Sequence, residues 1–181
     1  EQLKDDPRFI FAFIGGGKGK AVVDARINEW DSGNLGKYEC KDTLSHIQTS
    51  PHSNSRPSVV SLPYQPLDQI RYSLSAADLH IVSLGDNMSG IVHPCKIYGA
   101  LSIGRPVLAL GPKQSYLNDI IDGNDIGRSI EHGDVDAAVA ARQAAADQTQ
   151  EERVAIGQRA QQVATEKFSR EQLVHQFLET V

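Results

Sequence analysis

Two glycine-bearing loops hold the residues whose types and order could do chemistry. The first is Gly15-Gly16-Gly17-Lys18-Gly19-Lys20, directly after the uncharged run Phe9-Ile10-Phe11-Ala12-Phe13-Ile14. Glycines at the end of a strand let a ligand approach the backbone, and amides opening the next helix favour an anion. The spacing is not that of a P-loop and fits the dinucleotide fingerprint poorly. An anion cradle and a plain tight turn therefore stand level at this loop. The second loop is Met88-Ser89-Gly90-Ile91-Val92-His93-Pro94-Cys95-Lys96. It also joins a strand to a helix, so the amides of Ser89, Gly90, Ile91 and Val92 could hold phosphate oxygens. Lys96 stands at the helix start, where a cation opposes the helix dipole unless an anion is near. The plain alternative is a solvated surface lysine, and His93 is as readily a satisfied loop residue as a ligand contact.

Other chemistries find little support. There is no Gly-x-Ser-x-Gly elbow and no histidine pair at zinc spacing, and His46 and His52 lie in a polar stretch. Asp86 stands alone, which argues against a paired-carboxylate hydrolase. Cys40 and Cys95 neither form a disulfide scaffold nor show zinc-ribbon spacing.

The elements that must position these loops alternate in type. The run 9–14 suits a strand covered on both faces, as in a parallel sheet, and residues 21–30 read as a helix. Residues 31–57 are polar, with at most a short helix at 43–47, and read as a long loop or insertion. Strands are expected at 59–62, 78–84, 107–110 and 127–130, with helices at 67–76, 93–103 and 115–121. Gly104-Arg105-Pro106 ends the second of these helices, 93–103. Asp134 caps a helix to about 146, and another runs from 151 to 166. Ser169 with Gln172 makes a capping-box pattern for a terminal helix to 178. The alanine-rich helix reads as a packing surface, and Phe168, Leu173 and Phe177 as core contacts. The alternation indicates an α/β fold, a Rossmann-like doubly wound parallel sheet flanked by helices.

Composition narrows the function classes. At 181 residues the chain is one domain's length, and 40% hydrophobic content argues against disorder. A formal charge of −5 excludes a domain-wide basic field, so no nucleic-acid partner is expected. No apolar run approaches the roughly 20 residues of a membrane helix, and no leader pattern opens the chain. A cytoplasmic location is the expectation.

The ordered set of motifs resembles a known family. Residues 7–18, Leu62-Pro63-Tyr64-Gln65-Pro66, Ala76-Ala77-Asp78, Lys96-Ile97-Tyr98 and Gly104-Arg105-Pro106-Val107 together resemble the C-terminal domain of GT-B glycosyltransferases. More narrowly the chain is similar to glycosyltransferase family 4, among bacterial enzymes of polysaccharide or cell-envelope assembly. The resemblance implies a domain that binds a nucleotide-sugar donor, with the acceptor site on a separate N-terminal domain. It implies retention of anomeric configuration, no metal and no cofactor, with the nucleotide-diphosphate sugar as substrate. Peripheral membrane association of the full-length enzyme is an option. Carried over position by position, Gly15, Gly16, Gly17 and Lys18 belong to the donor cleft, and Pro63 and Tyr64 lie near the nucleobase. Ser89, Gly90, Ile91 and Val92 meet sugar and diphosphate, with His93 and Lys96 beside them. No catalytic residue is assignable.

The sequence departs from the family twice. The two glutamates of the usual Glu-x7-Glu pattern are replaced by Ile91 and Gly99. In the family a strand and helix before the strand 9–14 carry an Arg and Lys that grip the diphosphate, and Glu1-Gln2-Leu3-Lys4 reads as the tail of that helix. The 181 residues are thus expected to be one Rossmann-like domain, a fragment of a longer two-domain enzyme and inactive alone. A non-catalytic Rossmann-like binding module and a GT-B-like nucleotide-sugar epimerase are the competing readings.

Overall fold

A computed structural model describes residues 6, 8–17, 19–31 and 59–180. Lys18 and, apart from Asp31, the polar segment with Cys40, His46 and His52 lie outside the described residues. The chain divides into two compact units, Glu1–Leu67 and Asp68–Val181. The fold is α/β and Rossmann-like, with parallel strands in sheets flanked by helices.

In the first unit, β1 (Phe11–Ile14) pairs in parallel with β2 (Val59–Leu62), Phe11 opposite Val59 and Ile14 opposite Leu62. Helix α1 (Lys20–Asp31) follows the glycine loop and packs chiefly against β2. The expectation that the run 9–14 is covered on both faces fails here. Phe13 is 48% and Ile14 44% exposed. The reason is that β2 alone pairs with β1 among the described residues, and α1 covers the other strand.

The second unit is larger and holds the core. A 3-10 turn, Leu67–Gln69, precedes α2 (Ile70–Ser75), so the expected helix 67–76 is shorter and split. Strands β3 (His80–Ser83), β4 (Val107–Leu110) and β5 (Gly127–Ile130) form a parallel sheet in that order. Helix α3 (Lys96–Ser102) joins β3 to β4, and α4 (Tyr116–Asp122) joins β4 to β5. The expected start of α3 at residue 93 moves to 96, because a residue before proline is kept out of the helical region. Helices α5 (Val135–Asp147), α6 (Gln150–Phe168) and α7 (Arg170–Glu179) complete the unit.

The core joins Val82 and Leu84 from the β3 side with Ile97, Ala100 and Leu101 of α3, and Val107 and Ala109 of β4. Leu117, Ile120 and Ile121 of α4 and Ala160 and Val163 of α6 close it. Each large aliphatic side chain so buried contributes about 1.5–3 kcal/mol. Phe168 packs on this core as expected, but Leu173 and Phe177 do not: they are 49% and 68% exposed on α7. The helix turns that side outward, where no described element covers it. No described helix is long and apolar enough to cross a membrane.

Helix ends follow local chemistry. Asp134 and Ser115 accept from backbone amides three residues on, as N-caps do. The Ser169 hydroxyl likewise accepts from the Gln172 amide, but the reciprocal capping box closes at Thr149 and Glu152 instead. Helix α3 ends with Gly104 at φ +69°, its amide on the Leu101 carbonyl and the Arg105 amide on the Ala100 carbonyl. That is a Schellman turn, and only glycine adopts it without strain. Helix α6 then passes so close that a Cβ on Gly157 would lie 2.5 Å from the Gly104 carbonyl oxygen.

Two measurements test this packing. Gly157→Ala gains about 1 kcal/mol of helix propensity, but the backbone clash costs about 1–3 kcal/mol. The melting temperature is expected to fall. His80 donates Nε2–H to the Leu74 carbonyl at 3.0 Å, and burial, set against that bond, holds its pKa below the ordinary value of 6.5. The unfolded chain therefore takes up a proton first, and stability present above about pH 6.5 is lost as pH falls through the folded pKa. Thermal melts from pH 8 to pH 5 are expected to show this decline, and His80→Gln to flatten it.

Candidate functional site

In the first unit the structure brings together Gly15, Gly16, Pro63 and Tyr64 at the C-terminal ends of β1 and β2. The Gly15 amide donates to the Leu62 carbonyl at 3.1 Å, and Gly15 and Gly17 take φ of +122° and +109°. The Tyr64 ring lies directly on the loop: a Cβ on Gly16 would come within 2.6 Å of Tyr64 Cε2. The glycines thus admit an aromatic ring of the same unit, although that ring is itself 75% exposed. Lys20, the other basic residue of the loop, is engaged locally. Its ammonium meets the Ser61 hydroxyl and lies 3.4 Å from Asp24 Oδ1, while Ser61 donates to Asp24 at 2.5 Å. The Ser61 hydrogen bond, followed by the Lys20 charge and hydrogen bond, outweighs desolvation to hold the Asp24 carboxyl below its ordinary pKa.

In the second unit the loops after β3, β4 and β5 meet at the C-terminal edge of the sheet, where open α/β sheets bind ligands. The Ser89 hydroxyl donates to the Gln114 carbonyl at 2.9 Å, tying the first of these loops to the second. His132, after β5, places Nε2 2.9 Å from the Leu84 carbonyl and 3.9 Å from Asp86 Oδ1. A carbonyl accepts only, so Nε2 carries the proton. Asp86 therefore has a histidine neighbour, where the sequence reading left it alone.

The expected phosphate cradle differs from its sequence reading. The amides of Ile91 and Val92 both donate to the Met88 carbonyl, at 3.1 and 3.0 Å, so a tight turn uses them internally. The side chains of Ile91 and Val92 are exposed. Lys96 is the first residue of α3, as expected, and is exposed. The first turn of α3 holds no acidic residue, and Lys96 makes no ion pair among the described residues. Gly99, where the resemblance leads to the expectation of a glutamate, faces α2: a Cβ there would lie 3.2 Å from Leu74 Cδ1.

His93 is the most constrained of these residues. Its Nε2 lies 2.7 Å from the Tyr98 hydroxyl, and its ring meets the Tyr116 ring edge-on at 4.5 Å between centroids. Tyr98 in turn meets Phe168 edge-to-face at 5.0 Å. Burial first, then the neighbouring Tyr116, pushes the Tyr98 hydroxyl up to about 12. Tyr98, Tyr116 and His132 were not among the sequence candidates. For Tyr98 the available signal was its place five residues after His93, in the first turn of α3.

Comparison with known proteins gives two findings. The sequence matches no protein-family profile. It is 34% identical over 126 residues to a Pseudomonas aeruginosa protein named "Probable glycosyltransferase WbjE". The alignment takes in 70% of this chain and 26% of that protein, so the chain spans about a quarter of the relative's length.

Spectrophotometric titration checks the aromatic cluster. One of the five tyrosines is expected to ionise near pH 12, and Tyr98→Phe to remove that step. Because this pKa is raised above the unfolded value of about 10, the stability it carries is present below pH 10 and lost as pH rises through 12.

Proposed function

We propose that this chain is the donor-binding part of a glycosyltransferase, with a nucleotide-diphosphate sugar as the ligand of the loops after β3 and β4. The similarity to a probable glycosyltransferase over 126 residues carries the reading. The exposed Lys96, without an ion-pair partner among the described residues and at the edge of a parallel sheet where such folds bind ligands, supports it.

The chemistry follows from charge. Cleaving the sugar–phosphate bond leaves negative charge on the nucleoside diphosphate, and a fixed cation stabilises it as it develops. Lys96 is that cation in this reading, and an anion beside it also offsets its unfavourable place at the helix start. His93 lies in the same loop. No carboxylate takes the Gly99 position, so other groups bind the ribose hydroxyls. The finer reading is a retaining enzyme of the GT-B, family 4 type, acting in the cytoplasm in polysaccharide assembly. Its acceptor hydroxyl is then bound by a domain outside these residues.

Calorimetric titration with UDP, GDP and their sugars tests the proposal. Lys96→Ala is expected to weaken nucleoside-diphosphate binding roughly tenfold or more, since a charge-assisted hydrogen bond is worth about 1.5–3 kcal/mol. Acceptor-dependent release of nucleoside diphosphate by the full-length protein separates transfer from epimerisation. Absence of any nucleotide binding by that protein overturns the reading in favour of a non-catalytic module.

A further inference from the structure

The contacts around His93 go beyond what the loop's sequence suggested. Its Nε2 is committed to Tyr98 at 2.7 Å, and Nδ1 makes no hydrogen bond among the described residues. The imidazole lies between two tyrosines, tilted against Tyr98 at 5.2 Å and edge-on to Tyr116 at 4.5 Å, which limits its rotation. Tyr98 is itself fixed, because it sits on α3, packs on the core and meets Phe168. The loop backbone is held too, with the Cys95 thiol 3.6 Å from the His93 carbonyl oxygen.

We propose that Tyr98 is the positioning residue of His93, donating its hydroxyl hydrogen to Nε2 so that Nδ1–H is presented to a phosphate oxygen of a bound nucleoside diphosphate. The identity of the ligand rests on the transferase reading above. The direction of the hydrogen bond follows from the ligand's charge. If Nε2 donated to the tyrosine oxygen, a neutral His93 would offer an acceptor lone pair at Nδ1, and that repels an anion drawn to Lys96. With the tyrosine donating, Nδ1 is a donor whether the ring is neutral or protonated. Tyr98 keeps its hydrogen throughout the neutral range, as this role requires. Lys96 then supplies charge and His93 supplies a directed bond.

Nitrogen-15 spectra of the imidazole rings at pH 8 read the tautomer directly, without any variant. In the unsubstituted protein His93 is expected as the Nδ1–H form, and in Tyr98→Phe to shift toward Nε2–H, the form favoured by free imidazole. In UDP titrations, His93→Ala and Tyr98→Phe are each expected to weaken binding three- to tenfold. The double variant is expected to bind no more weakly than His93→Ala alone, because Tyr98 acts only through the imidazole. An Nε2–H tautomer in the unsubstituted protein overturns the proposal, and so do losses that add in the double variant. Failure of UDP and GDP to bind the unsubstituted protein overturns the phosphate contact together with the transferase reading. The ring spectra then still decide whether Tyr98 sets the tautomer.

Discussion

Burial of Ile97, Ala100 and Leu101 along one side of α3 is the constraint on which the second unit's loops depend. These residues recur at helical spacing, and all three are almost wholly removed from solvent. Once that side faces the sheet, the start of α3 is fixed at the sheet's C-terminal edge. Lys96 is then carried to the edge, and Tyr98, one position beyond Ile97, is turned toward His93 and Phe168. At the far end, the left-handed Gly104 stops the helix and directs the chain into β4. Helix α6 clamps that turn from outside through the Gly157 contact. One helix of seven residues thus sets both the loop before it and the next strand.

The two units differ in how far their hydrophobic patterns are satisfied. In the second, β4 is buried at Val107, Leu108 and Ala109, having a strand on each side. In the first, β1 closes the uncharged run 9–14, the most continuous apolar run of the described strands, and yet leaves Phe13 and Ile14 exposed. The sequence pattern of β1 therefore asks for more cover than the described residues provide. Helix α7 shows the same imbalance, with Leu173, Val174, Phe177 and Leu178 all exposed.

Strands and caps were legible because their signals are local. The strands 59–62, 107–110 and 127–130 stand where apolar or β-prone runs meet glycine and proline. Asp134 and Ser169 were readable as N-caps from residue type and position. The site was less legible because its contacts join distant residues. Tyr116 reaches His93 from beyond β4, and His132 reaches Leu84 from beyond β5. A strand-to-helix loop leaves amides such as those of Ile91 and Val92 free by default, and nothing in the sequence marks the turn that takes both onto Met88. The glycines of 15–17 suggested an open cradle, and no spacing rule could have placed the Tyr64 ring over them.

The order β3-β4-β5 has a consequence for how the second unit is made. β4 pairs with β3 and β5 with β4, each across a connection containing a single α-helix. Loop-closure entropy grows with the length of chain between partners, so these pairings are the least costly parallel ones available. As the polypeptide leaves the ribosome, β4 finds β3 already present and β5 finds β4, and no strand waits for a distant partner. Leu101 and Leu117 enter the core with the helices that carry them, so apolar surface is covered nearly as fast as it emerges. The sheet grows in the direction of synthesis.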